Sequence, residues 1–233
     1  MGKNKRHANN NFLVTLDKVN RFVEQAKVSA ETVQILYEKG DFEEAIEESF
    51  RLERLSEKIV LHTRMLPVYT GHPRAARQVV SIIRDEVPVE IGYTEEGWFS
   101  LRLPLLLPKK GKGSTDYLKD ILYPAMNEYF HAHKSIRKRY NGAVLIFRHV
   151  YTEDRQERLK RDHDNIEVNT VADIVTLYVL VDDAPAYCSH FYCSGIGCEE
   201  RTEVYVIPKS DFPKWLEAEK SMPKEGVKLY EAP

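Results

Sequence analysis

The spacing of apolar residues changes period once along this chain, and that change divides it in two. From Phe12 they recur as Phe12, Leu16, Val19, Val23, Ala26, Ala30, Val33 and Tyr37, in alternating steps of four and three. Such steps hold one stripe of a helix against a partner. Gly40 supplies a left-handed stop. Asp41 then reads as the N-cap of a second helix, with Glu44 in capping-box position. Phe42, Ala45, Ile46, Leu52, Leu55 and Ile59 give that helix its apolar side. Past residue 87 the period drops toward two, the repeat of a strand.

The first part therefore predicts an antiparallel helical hairpin. The run Tyr37 to Glu47 resembles the turn of a tetratricopeptide repeat. Only one such turn occurs, and a solenoid needs several stacked units to bury its faces. The expectation is a lone hairpin for dimerisation or for docking a protein partner. A third helix is expected from Pro73 to about Glu86 through Ala76, Val79, Val80 and Ile83.

The second part reads as strands Val87–Tyr93 and Trp98–Leu106, with Pro104 marking an edge or a strand end. A mobile basic loop holds Lys109, Lys110 and Lys112. A helix from about Thr115 to Lys134, an apolar strand Ala143–Tyr151, a charged loop and a helix over 164–178 follow. Tyr187–Cys193 and Glu203–Ile207 read as a hairpin across Ser194–Gly197, and a short helix near Asp211–Lys220 ends the pattern. The fold class expected is α+β, a mixed sheet with packed helices, preceded by an N-terminal helical hairpin. The expected divisions are a disordered 1–10, a helical region 11–86, an α+β domain 87–208, and a C-terminal helix and tail 209–233.

Composition places the chain among globular proteins, with 42% hydrophobic and 30% charged residues. No apolar run approaches a membrane span, and no apolar segment follows the basic start Met1–Arg6 to serve as a signal peptide. Arg6 stands where a myristoylation signal wants Ser or Thr. A cytoplasmic location away from membranes is expected. The formal net charge of −2 conceals an asymmetry. Residues 11–99 hold 11 Lys/Arg against 16 Asp/Glu, a net of −5, while residues 100–161 hold 14 against 6, a net of +8. A basic segment thus precedes the acidic one, although a solvated surface gives the same count. Three cysteines, Cys188, Cys193 and Cys198, are an odd number without a secretory signal, which argues against a disulfide framework. In a strand Cys188 and Cys193 face opposite ways, so reduced thiols are favoured over a zinc site.

The chemistry concentrates in Arg161-Asp162-His163-Asp164-Asn165 and in Asp182-Asp183. Asp164 or Asn165 is a natural N-cap for the helix that follows, which is the plain reading of that residue. Capping accounts less well for Asp162 and for the Asp182-Asp183 pair. Carboxylates drawn together repel unless a cation lies between them. Mg²⁺ takes a few carboxylates plus waters and substrate phosphate, and a bound metal can activate water beside a phosphodiester. The spacing fits no EF-hand, and neither a Walker loop nor a serine or cysteine nucleophile motif occurs.

Over about residues 98–208 the chain resembles the RusA-type Holliday-junction resolvases. The resemblance is carried by Leu103-Pro104 on a first strand, by Arg161-Asp162-x-Asp164-Asn165 before a helix, by Asp182-Asp183 after it, and by the separations among them. It implies a homodimeric, Mg²⁺-dependent endonuclease (Mn²⁺ also serving) that nicks branched or four-way DNA in recombination and repair. Asp162, Asp164 and Asp183 would be its catalytic metal-binding carboxylates, with Asp182 as a further ligand. One position departs: the family's helix carries a lysine where this chain has Val168. Lys160, Arg158 or Arg148 would have to substitute, or the chain is a weakened or inactive DNA-binding or adaptor relative. Basic residues expected on phosphates are Lys109, Lys110, Lys112, Lys134, Arg137, Lys138, Arg139, Arg148, Arg158, Lys160 and Arg161. For those around 134–139, a solvated helix end is the alternative. A third reading is a helical interaction factor whose acids merely cap helices.

Overall fold

The structure is a computed structural model and describes residues 2–111, 113–134, 139–157 and 160–231, with the side chains of 2–10, 76, 77, 80 and 84 left out. Lys112, Arg137, Lys138 and Arg158, all expected on phosphates, lie outside the described residues. Two compact units divide the chain, Met1–Ser81 and Ile82–Pro233. The boundary falls inside a helix, five residues before the expected division after Glu86.

In the first unit, α1 (Gly2–Lys39) and α2 (Phe42–Thr63) form the expected hairpin, followed by a single turn, α3 (Leu66–Tyr69). α1 runs helical from Gly2, through the stretch expected to be a disordered lead. Gly40 turns the chain at φ 82°, a conformation that glycine adopts without steric cost. The seam differs from the apolar pattern. Val23 and Tyr37 are exposed, while Ser29 is buried and its hydroxyl donates to Glu48 Oε1 at 2.6 Å. A polar residue with a partner inside takes a seam position that hydrophobic periodicity gives to its neighbour Ala30. Asp41 occupies the N-cap of α2 but makes no side-chain cap bond, so the expected capping box does not form.

The second unit begins within α4 (Ala75–Glu86), on which Val79 and Ile83 are buried. It continues with β1 (Glu90–Tyr93), β2 (Phe99–Leu103), α5 (Ser114–Ala132), β3 (Ala143–Tyr151), α6 (Val168–Val179), β4 (Cys188–Ile196), β5 (Arg201–Pro208) and α7 (Phe212–Glu219). The sheet order is β1-β2-β5-β3-β4. β3 and β4 are parallel, with Phe147 opposite Tyr192, and α6 is the crossover between them. The other pairs are antiparallel. Pro104 sits just past the end of β2, as a residue lacking a ladder donor should.

The expected β4–β5 hairpin does not exist. β5 is inserted between β2 and β3 instead. All of Val204, Tyr205, Val206 and Ile207 are fully buried, so this strand presents apolar side chains to both faces and belongs at the centre. The connection passes the end of β3, where Gly197 donates its N–H to Tyr151 O. A Cβ at Gly197 would stand 2.5 Å from Val150 Cγ1, so only glycine permits the crossing.

Each sheet face has its own cover. On one, Phe99 stacks on Phe130 of α5 at 6.0 Å, and Phe130 stacks on Tyr178 of α6 at 5.4 Å. On the other, Trp98, Val144, Ile146, Tyr205 and Ile207 enclose Trp215 of α7, which is fully buried. The fold is therefore α+β with a mixed sheet, as the periodicities predict. No helix among the described residues is long and apolar enough to cross a membrane.

Candidate functional site

Two distant segments are stitched side by side on the α5–α6 face. Lys109 and Ile166 form an antiparallel bridge, Lys110 N donates to Asn165 O at 2.8 Å, and Glu167 N donates to Pro108 O at 3.0 Å. Side chains reinforce the seam. Lys110 Nζ donates to Asp164 O at 2.7 Å, and the Arg161 guanidinium donates to Leu107 O at 2.5 Å. Beneath them Glu167 is buried and accepts from Ser114 at 2.7 Å and from Thr170 at 3.1 Å, tying the starts of α5 and α6 together. Each of those helix starts has backbone N–H groups in need of acceptors, and a carboxylate there also meets positive helix ends.

α6 consequently begins at Val168 with Glu167 at its N-cap, four residues later than the sequence suggests. Asp164 and Asn165 are not its cap. Asp162 and Asp164 are exposed, and neither side chain makes a salt bridge or a hydrogen bond among the described residues. Between them His163 turns inward. Its ring lies 5.2 Å from that of His149 on β3 and 5.5 Å from that of Tyr192 on β4. His149 is fully buried, and both of its ring nitrogens lack a partner among the described residues. Burial, then the neighbouring His163 and Arg161, push its pKa down to about 3. Burial also lowers the pKa of His163, against the pull of Asp162 and Asp164.

Asp182 and Asp183 are exposed too, but they stand elsewhere. Asp182 Oδ1 accepts from Ala184 N at 2.8 Å in a local turn. Asp183 lies beside Cys188, at the start of β4, where burial and then this carboxylate raise the thiol pKa. His163, in contrast, packs against residues in the middle and far half of β3 and β4. Among the described residues no three His, Cys, Asp or Glu side chains come close enough to hold a metal ion. The convergence expected of Asp162, Asp164 and Asp183, with Asp182, around Mg²⁺ or Mn²⁺ is thus not formed among the described residues.

The basic residues divide. Lys109 and Lys110 are exposed on the seam, and Lys160 and Arg161 are half-buried beside it. Lys160 is held by Glu157 at 2.6 Å and lies over the Tyr151 ring. Lys134 is exposed near the end of α5, and Arg139 donates to Leu177 O. Arg148 is not a phosphate contact. It is 4% exposed on the α7 face, where it pairs with Glu203 at 3.0 Å and Glu219 at 3.3 Å. Arg201 binds the same Glu203 at 2.7 Å, and Tyr205 donates to it at 2.9 Å. Nothing in hydrophobic patterning announces this buried cluster. The alternation Arg201, Glu203, Tyr205 on a strand was its only signal. Val168, where the resolvase resemblance expects a lysine, is 4% exposed, so a lysine there would have to bury its stem.

The three cysteines are free; Cys188 is buried, Cys193 half-buried and Cys198 exposed. Burial, followed by Glu219, pushes the Cys193 thiol up to about 12, which makes it an inert thiol.

Fold and site together define an α+β protein with a loop-built, mixed-charge surface over a buried histidine. The chain belongs to the family of unknown function DUF6100, whose sequence model matches residues 7–232. No curated protein and no solved structure matches it.

Proposed function

We propose that this protein is a resolvase-like, homodimeric binder of branched DNA, with the seam between residues 105–111 and 160–167 facing phosphates. The observation that carries this reading is the seam itself. It sets Lys109, Lys110, Lys160 and Arg161 around the Asp-x-Asp-Asn segment, although the two stretches are some fifty residues apart in sequence. Cations on a firm backbone support suit phosphate positioning, which governs affinity and salt dependence. The buried Val168 and the separated acids favour binding without cleavage.

The second reading is a Mg²⁺- or Mn²⁺-dependent endonuclease. Its support is the order of the motifs and the exposed, unpaired state of Asp162, Asp164 and Asp183 among the described residues. One four-way junction assay tests both. The parent should bind the junction better than linear duplex. Lys109→Gln with Lys110→Gln should weaken binding and flatten its salt slope by about 0.9 for each phosphate that is no longer neutralised. Equal affinity for both DNAs would sink the junction reading. Cutting that needs Mg²⁺ and vanishes in Asp164→Asn, with binding kept, would instead establish the nuclease.

A further inference from the structure

His149 is 0% exposed on β3, in the row Phe147, His149, Tyr151 that alternation sets on the α5–α6 face. A strand so placed is expected to turn apolar side chains to that face. An imidazole instead stands there, with Nδ1 and Nε2 both closed to solvent and without a partner among the described residues. His163 Nδ1 is in the same state. Buried polar atoms are nearly always bonded, so nitrogens gathered in this way call for a ligand.

The ring geometry says which kind. The centres of the His149 and His163 rings lie 5.2 Å apart, with 43° between their planes. Imidazoles that share one tetrahedral ion stand about 5 Å apart by the same measure, given N–metal bonds of about 2.0 Å. Ring packing alone produces similar spacings, but it leaves the nitrogens unbonded. We propose that His149 and His163 together hold a borderline-soft dication, Zn²⁺ above all, between β3 and the 160–167 segment.

Imidazole nitrogen suits Zn²⁺, Ni²⁺ and Cu²⁺, whereas Mg²⁺ takes oxygen. Only the neutral ring is a ligand, and burial keeps both rings neutral by lowering their pKa values. His163 is half-buried, which gives the ion a way in, and Tyr192 packs on its ring at 5.5 Å and steadies it against the sheet. Arg161 opposes a cation here, but its guanidinium is committed to Leu106 O and Leu107 O. Asp162 and Asp164, on either side of His163, act in the favourable direction. No third His, Cys, Asp or Glu side chain completes a cage among the described residues. Water therefore fills the other positions, and the ion keeps an open side as catalytic zinc does. The assignment is independent of the resolvase-like reading, whose carboxylates call for Mg²⁺ and whose Asp-x-Asp motif leaves position 163 unspecified.

Untagged chain, stripped with EDTA and titrated with ZnCl₂ in a calorimeter, should take up one equivalent with a micromolar Kd. MgCl₂ should give no such heat. His163→Gln should weaken Zn²⁺ binding by about tenfold or more and keep the circular dichroism spectrum. Cys198→Ser, which removes the exposed thiol, should leave binding unchanged. Long-range proton–nitrogen-15 spectra of the parent should show one ring nitrogen of His149 and one of His163 moving as Zn²⁺ is added. That readout reaches His149 without replacing a core side chain, and it decides the matter should His163→Gln fail to fold. A buried water bonded to the same nitrogens would give no Zn²⁺ uptake, which overturns the proposal. Full uptake by folded His163→Gln, loss of uptake in Cys198→Ser, or shifts confined to other histidines would each do the same.

Discussion

Glu203 and Asp164 are both carboxylates among cations, on opposite faces of one sheet. Glu203 is 1% exposed, and burial alone would push its pKa up. Arg148 and Arg201 outweigh that and hold it below the usual range, and Tyr205 adds a hydrogen bond. Every charge there is paired, because an unpaired ion in a low-dielectric interior costs several kcal/mol. Asp164 keeps its side chain in water, and among the described residues only its backbone oxygen is engaged, by Lys110. A buried cluster of this kind holds the α7 face together, while an exposed one remains available to a ligand. Charge content does not separate the two, but burial does.

That contrast can be broken most easily on the buried side. Glu203→Gln should cost about 3–5 kcal/mol, since it deprives buried Arg201 of its carboxylate and leaves buried Arg148 with Glu219 alone. Urea denaturation measures it, and a loss under about 1 kcal/mol would mean that the cluster is not structural. The next largest effect is in pH. His149 is neutral in the folded chain with a pKa of about 3, against 6.5 when exposed. Between those values the unfolded chain binds more protons, so stability falls as pH drops below 6.5. The slope should approach about 1.4 kcal/mol per pH unit, and His149→Phe should flatten it. Glu203 adds a second, lower window: its folded pKa is depressed, so its contribution fades as pH falls below 4.5. Ser29→Ala, which removes the hydroxyl bonded to Glu48 in the helical hairpin, should cost about 1 kcal/mol in a thermal melt. Asp162→Asn and Asp164→Asn come last, each within about 0.5 kcal/mol of the parent. A large loss there would show that these acids hold the fold together just as Glu203 does, and the contrast would fail.

Much of the fold was legible because local patterns are read directly from side-chain spacing. β3 runs from Ala143 to Tyr151, the span its apolar residues mark out, and α2, α4 and α5 lie within a few residues of where their periodicities place them, while α6 starts four residues late. The misreadings share a cause. Ser29 takes a seam position because Glu48, nineteen residues away, supplies a partner. β5 leaves β4 because its two apolar faces need neighbours on both sides. Arg148 looks like any other basic residue until Glu203 and Glu219 are placed beside it. Of the candidate site, the residue types and their order were visible, whereas the seam that seats Lys110 on Asp164 was not.

The sequence by itself determined where helices end and strands begin, since apolar period, glycine stops and proline positions act over a few residues. It also determined that acids and bases would be neighbours along the chain. Tertiary structure alone decided which charges were buried and paired, which edge of the sheet stayed open, and how far Asp183 lies from Asp162 and Asp164. Those outcomes depend on contacts between residues distant in sequence, and dielectric environment and hydrogen-bond partners exist only once the sheet has assembled.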